Sequence, residues 1–139
     1  MAARTKARKR ALDVLFEADQ RGANVIDVLD ERIADSGRQT PLPEYSREIV
    51  RGVANRWLEI NELIQEASPE WTLQRMPAVD RAILRIGAWE VLVGTVGTAV
   101  AIDEAVGLAG DLSTDDSPRF INGILGTIAR DARALPTTE

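Results

Sequence analysis

Apolar residues return every three or four positions along almost the whole chain, the period of helices buried on one side. The first stripe runs through Ala7, Ala11, Leu15 and Ala18, flanked by Leu12 and Val14, and Gly22 is a natural stop. Asn24 is a cap for a second helix with Val25, Val28, Leu29 and Ile33 inward, expected to end at Ser36–Gly37. A loop from Gly37 to Pro43 follows. Pro43 suits the first turn of a third helix, where its missing N–H has no intrahelical partner anyway. The stripe Tyr45, Ile49, Val53, Trp57, Ile60, Ile64 and Ala67 predicts that this helix runs unbroken for about six turns.

Ser68-Pro69 predicts a short helix carrying Trp71 and Leu73. Pro77 opens the next, with Val79, Ala82, Ile83, Ile86, Trp89 and Val93 inward. A Gly-containing turn at Thr95–Thr98 leads to a helix over Val100–Leu112. Ser117-Pro118 starts the last one, through Phe120, Ile121, Ile124, Leu125 and Ile128. About seven helices and no convincing strand predict an all-α protein. Its 139 residues suit one domain spanning 1–139, with a subdomain break expected near Pro69–Pro77. Gly52, Gly87, Gly107, Gly110, Gly123 and Gly126 fall inside predicted helices, where each costs about 1 kcal/mol relative to alanine. That cost predicts close helix–helix approach, inside the fold or at a partner surface.

Composition narrows the chemistry. There is no cysteine, hence no disulfide, thiolate metal site or cysteine nucleophile, and no histidine, the commonest general base and metal ligand. No cofactor motif is present, because no Gly-rich phosphate loop follows a strand. Asp103-Glu104, about 100° apart on a helix, are poorly placed as one acid/base pair. Asp115-Asp116 suit the positive end of the last helix, and together with Asp111 they lack the ligand spacing of a calcium loop, so no metal is expected. The longest apolar stretch, Val91–Ile102, is too short and too interrupted to span a membrane. Asp13, Glu17 and Asp19 interrupt any secretory signal after the basic start. A cytoplasmic location is expected.

Charge changes the picture most. The chain carries 17 basic and 22 acidic residues, for a net −5. Five of the cations, Arg4, Lys6, Arg8, Lys9 and Arg10, sit in the first ten residues without one acidic neighbour, and the other 129 residues hold 12 basic against 22 acidic side chains. A cationic tip on an anionic body points to a polyanion, nucleic acid first. On a helix Arg4 and Arg8 share the azimuth of Ala11 and Leu15, whereas Lys6 and Arg10 point roughly opposite. Cations on all sides predict a turn that overhangs the body or orders only on binding. Phosphate contacts of this kind give affinity and salt dependence, while base choice needs stacking and edge hydrogen bonds. Phe120, beside Arg119 at the mouth of the last helix, fits the core first and a stacking platform second.

Three segments carry a more specific signal: Lys6-Ala-Arg-Lys-Arg-Ala-Leu-Asp-Val-Leu-Phe-Glu17, Val79-Asp-Arg-Ala-Ile-Leu-Arg-Ile-Gly-Ala-Trp-Glu90, and Ala101-Ile-Asp-Glu-Ala-Val-Gly-Leu-Ala109 with Phe120-Ile-Asn-Gly-Ile-Leu125. In order and spacing they resemble the NusB family over essentially the whole chain. The resemblance implies two small packed helical bundles, no enzymatic activity and no cofactor. It implies binding to boxA RNA of ribosomal RNA leader transcripts together with NusE, a small-subunit ribosomal protein, within an RNA polymerase antitermination complex. The Arg-rich motif of such proteins maps onto Arg4, Lys6, Arg8, Lys9 and Arg10, and further RNA contact onto Asp116, Arg119 and Phe120. The NusE-facing surface maps onto the exposed side of Val79–Glu90, through Asp80, Arg81 and Glu90. Gly107 and Gly110 replace a Glu and a Lys common in the family, which weakens transfer of a partner surface on that helix and raises a homodimer as an alternative assembly. Two other functions compete: a helical RNA-binding accessory module of an rRNA methyltransferase-type system, and a purely structural homo-oligomer. After Ala134 the sequence is too short for a cofactor-binding α/β domain, which speaks against methyl transfer by this chain.

Overall fold

The described residues form seven α-helices, some bounded by local stop and capping residues and one pair divided only by packing. The computed structural model describes residues 2–35 and 40–134. Its helices are α1 (Ala3–Arg21), α2 (Val25–Ala34), α3 (Glu44–Asn55), α4 (Trp57–Ala67), α5 (Ala78–Val93), α6 (Thr98–Leu112) and α7 (Ser117–Ala134), with a 3-10 turn at Leu73–Arg75. No strand occurs among the described residues. Gly22 ends α1 in the left-handed region at φ 63°, a conformation that costs glycine nothing. The Asn24 side chain then accepts from the backbone N–H of Ile26 and Asp27, capping α2. Helical bonding in α2 stops at Ala34; the expected end at Ser36–Gly37 and the first part of the 37–43 loop lie outside the described residues.

The single long third helix is replaced by two. The apolar stripe continues, but the backbone turns at Arg56, with φ −115° and ψ 28°. Neither proline nor glycine marks that position; the turn lets α3 pack on α1, α2 and α5 while α4 packs on α5 and α7. The packing partners therefore change at Arg56, upstream of the 69–77 segment. The short helix expected after Ser68-Pro69 is also absent. Gln65 takes its place as organiser: its Nε2 donates to the carbonyls of Ser68 and Trp71, and its Oε1 accepts from the Leu73 N–H. Backbone groups that would build a helix are thus satisfied by one side chain. At the end of α5, Val93 is exposed rather than inward, because Gly94 stops the helix there at φ 76°. The next helix begins at Thr98, two residues before the expected Val100.

The helices α1, α2 and α3 form one bundle, and α4 to α7 form the second. α5 belongs to both, contacting α1, α3, α4, α6 and α7. Every residue from Ala82 to Val91 is buried, and one apolar cluster runs from Ala11 in α1 to Ala129 in α7. Two internal glycines mark close approach. A Cβ at Gly52 would stand 2.0 Å from Nε1 of Trp89, and one at Gly87 would stand 2.6 Å from Leu125. Gly107, Gly110 and Gly123 face open space instead, so no described helix packs against them.

Candidate nucleic-acid interface

The basic N-terminal turn is helical from Ala3 and packed along one side. Ala7 is buried, its carbonyl accepting a 2.7 Å hydrogen bond from the hydroxyl of buried Ser46. The expectation of an overhanging or binding-ordered turn is corrected most clearly at Arg8, which is only 2% exposed. Its Nε lies 3.0 Å from both carboxylate oxygens of Glu90, its Nη2 3.0 Å from Oε2, and its Nη1 3.1 Å from Glu104 Oε1. Tyr45 donates its hydroxyl to the same Glu90 carboxylate, and Thr5 donates to Glu104 at 2.7 Å. Burial alone would pull the Arg8 pKa down, but the Glu90 hydrogen bonds and the charges of Glu90 and Glu104 leave it raised. Burial and the Glu90 contact likewise push the Tyr45 hydroxyl up. Arg8 is therefore an anchor that cannot touch RNA without leaving its two glutamates.

The remaining cations of the turn stay accessible. Arg4 is exposed, with its guanidinium 4.6 Å from the Tyr45 ring centre, and Lys6 is exposed with no ion-pair partner among the described residues. Arg10 is half-buried against Thr40, donating to its hydroxyl and carbonyl. Lys9 reaches Asp111 on the last turn of α6 at 4.0 Å. From Asp111 to Ser117, where α7 begins, the chain spans no more than about 20 Å even fully extended. The basic turn is thus linked to the mouth of α7 through the end of α6.

At that mouth Asp116 and Arg119 are exposed and Phe120 is half-buried against the core. Trp71, half exposed at 49%, meets Phe120 edge-on with ring centres 6.4 Å apart. Trp71, Phe120 and Arg119 line one side of a cleft of about 340 Å³. Sequence periodicity misses Trp71 as a site residue by assigning it to a helix; a tryptophan between two prolines in a stretch without helical period was the available signal. The start of α7 is held by Asp80: Ser113 Oγ and Ser117 Oγ donate to its two oxygens at 2.6 and 2.9 Å, and Thr114 lies 2.8 Å from Ser117.

Asp80, Arg81 and Glu90 do not form an exposed face. Asp80 and Glu90 are 2% and 1% exposed, and half-buried Arg81 is taken up by Asp19 and by the carbonyls of Leu73, Gln74 and Met76. The cause is the central position of α5, which is covered on nearly all sides. Among the described residues no group of three or more acidic side chains could hold a metal ion, and no helix is long and apolar enough to cross a membrane.

Known proteins share both sequence and fold. A model of the NusB family matches residues 5–130. A transcription antitermination protein NusB from Beutenbergia cavernae is 53% identical, with all of this chain and 97% of that protein aligned. The solved structure of T. maritima NusB has a TM-score of 0.80 at 31% identity, covering 94% of this chain and 92% of that one. A chain from a crystal structure of antitermination factors NusB and NusE in complex with dsRNA has a TM-score of 0.78 at 24% identity, a likeness of fold, covering 92% and 96%. With nearly the full chain matched and relatives above half identity, this protein belongs to the NusB family.

Proposed function

We propose that this protein is a cytoplasmic, non-enzymatic transcription antitermination factor that binds boxA RNA of ribosomal RNA transcripts together with NusE, within an RNA polymerase antitermination complex. The observation that carries the proposal is the full-length relationship to proteins named for transcription antitermination. The solved assembly of NusB and NusE with dsRNA supports the same choice of partners. In this chain, Arg4, Lys6, Lys9 and Arg10 supply phosphate contacts from the first two turns of α1. Arg8 positions them by holding α1 to α5 and α6. Arg119 adds a cation beside Phe120 and Trp71, whose rings offer a stacking surface for an unpaired base, and the exposed Asp116 carboxylate is an acceptor for base N–H groups.

With three to five phosphates contacted, log affinity should fall against log salt with a slope of about −2 to −4. The test is a titration of labelled boxA RNA and a scrambled control, with and without NusE, at two salt concentrations. Preference for boxA that NusE tightens and salt weakens is the expected result. Equal weak binding to both RNAs regardless of NusE would reduce the basic turn to a generic polyanion contact and overturn the proposal.

A further inference from the structure

Arg81 and Arg85 of α5 lie near the C-terminal end of α1, in a cleft of about 460 Å³ between α1, α4, α5 and the 3-10 turn. Leu15, Ala18, Val25, Trp57 and Leu73 give it apolar walls, and Asp19, Arg81 and Arg85 bring charge into it. Arg81 is saturated. Its Nε and Nη2 donate to the two Asp19 oxygens at 2.9 and 3.2 Å, and its Nη1 faces the carbonyls of Leu73, Gln74 and Met76.

Arg85 is not. Its Nε donates to Asn61 Oδ1 at 3.0 Å, and its guanidinium stacks 4.3 Å from the Trp57 ring centre. The nearest carboxylate oxygen, Asp19 Oδ2, stands 3.8 Å from Nη1, beyond a hydrogen bond, and already accepts from Arg81. Nη1 and Nη2 of Arg85 therefore make no hydrogen bond to the described residues. Among the described residues no buried side-chain nitrogen is left without a partner, so these donors keep access to the cleft that Arg85 lines. Two guanidinium charges share one carboxylate in a recess where Arg85 is only 8% exposed. Burial, reinforced by repulsion from Arg81 and only partly offset by Asp19, lowers the Arg85 pKa to about 10. An anion bound here would supply both the missing charge and the missing acceptors.

We infer that the cleft is a carboxylate site, in which the Arg85 guanidinium receives an Asp or Glu side chain of a protein partner. A carboxylate offers two coplanar oxygens to the two free amino groups of the fork. The apolar walls suit the methylene stem behind it. A phosphodiester would bring no such stem to Trp57 and Leu73. Some fourteen residues of α1 separate Arg4 from Ala18, about 20 Å of helix, so the basic turn and this cleft can be occupied together.

Sodium propionate, which reproduces a Glu side chain beyond Cα, is the first probe. It is titrated into the full chain at constant ionic strength beside inorganic phosphate and chloride, following the NMR signals of Arg85 Nε–H and Trp57 Nε1–H. Propionate should shift both signals saturably, with half-saturation on the order of millimolar and at least about fivefold tighter than chloride or phosphate. Arg85→Met should abolish the Trp57 response. Arg85→Lys, which keeps the charge but loses the fork, should weaken it at least about threefold. A response without saturation, tighter binding of phosphate, or a Trp57 shift unchanged in the lysine variant would each overturn the assignment.

Discussion

Arg8 and Arg85 are both nearly sealed from solvent, at 2% and 8% exposure, yet their surroundings are opposite in balance. Arg8 faces two carboxylates, those of Glu90 and Glu104, with Tyr45 and Thr5 completing their hydrogen bonds. Arg85 shares the single carboxylate of Asp19 with Arg81, and it contacts that group only at 3.8 Å. The Arg8 pKa is raised in spite of burial, while that of Arg85 falls to about 10. A buried guanidinium whose donors are filled is a fastener. One whose donors open on a recess can still accept a ligand. Counting arginines does not separate the two, and neither does burial; the arrangement of acceptors does.

The sharpest way to break this comparison is to remove Arg8. Arg8→Ala leaves Glu90 uncompensated in the interior and should cost about 3–5 kcal/mol in chemical denaturation. A loss no larger than that of an exposed arginine would mean the anchor is not working as described. Arg85→Met should cost less, about 1–2 kcal/mol. It loses the Asn61 hydrogen bond and the Trp57 stack, but it also removes the penalty of a poorly compensated charge. Equal losses at the two sites would erase the distinction.

Lys6→Ala supplies the exposed counterpart. Stability should stay within about 0.5 kcal/mol, while the salt slope of RNA binding should shrink by about 0.7 for one lost phosphate contact. An unchanged slope would take Lys6 out of the interface. The smallest effect belongs to Glu17, partly exposed between two arginines. Hydrogen bonds from Arg32 and then Arg21 hold its carboxyl below the ordinary 4.5. Its contribution is therefore present above pH 4.5 and is lost as pH falls through the lowered value. Glu17→Gln should lower stability slightly at neutral pH, where the contribution is present, and the two profiles should converge as pH falls through the lowered value; profiles that stay parallel into acid would show that the pairs are fully screened.

Helix existence was legible from local chemistry. The period of α1, the stop at Gly22 and the Asn24 cap all follow from residues within their own segment of chain. The cationic cluster, too, was visible from charge alone. The break at Arg56 was not, because the apolar stripe runs through it and only the separate docking of α3 and α4 bends the chain. Burial of Asp80 and Glu90 was hidden for the same reason: their partners Ser113, Ser117 and Arg8 lie far away along the chain.

What the sequence by itself determined was the helical class, most of the caps, the family and the cationic start, since these rest on composition and on neighbours within one or two turns. Only the tertiary structure decided which cations remain free. An arginine's solvation depends on the carboxylates that meet it in space, and those that meet Arg8 come from 82 and 96 residues away.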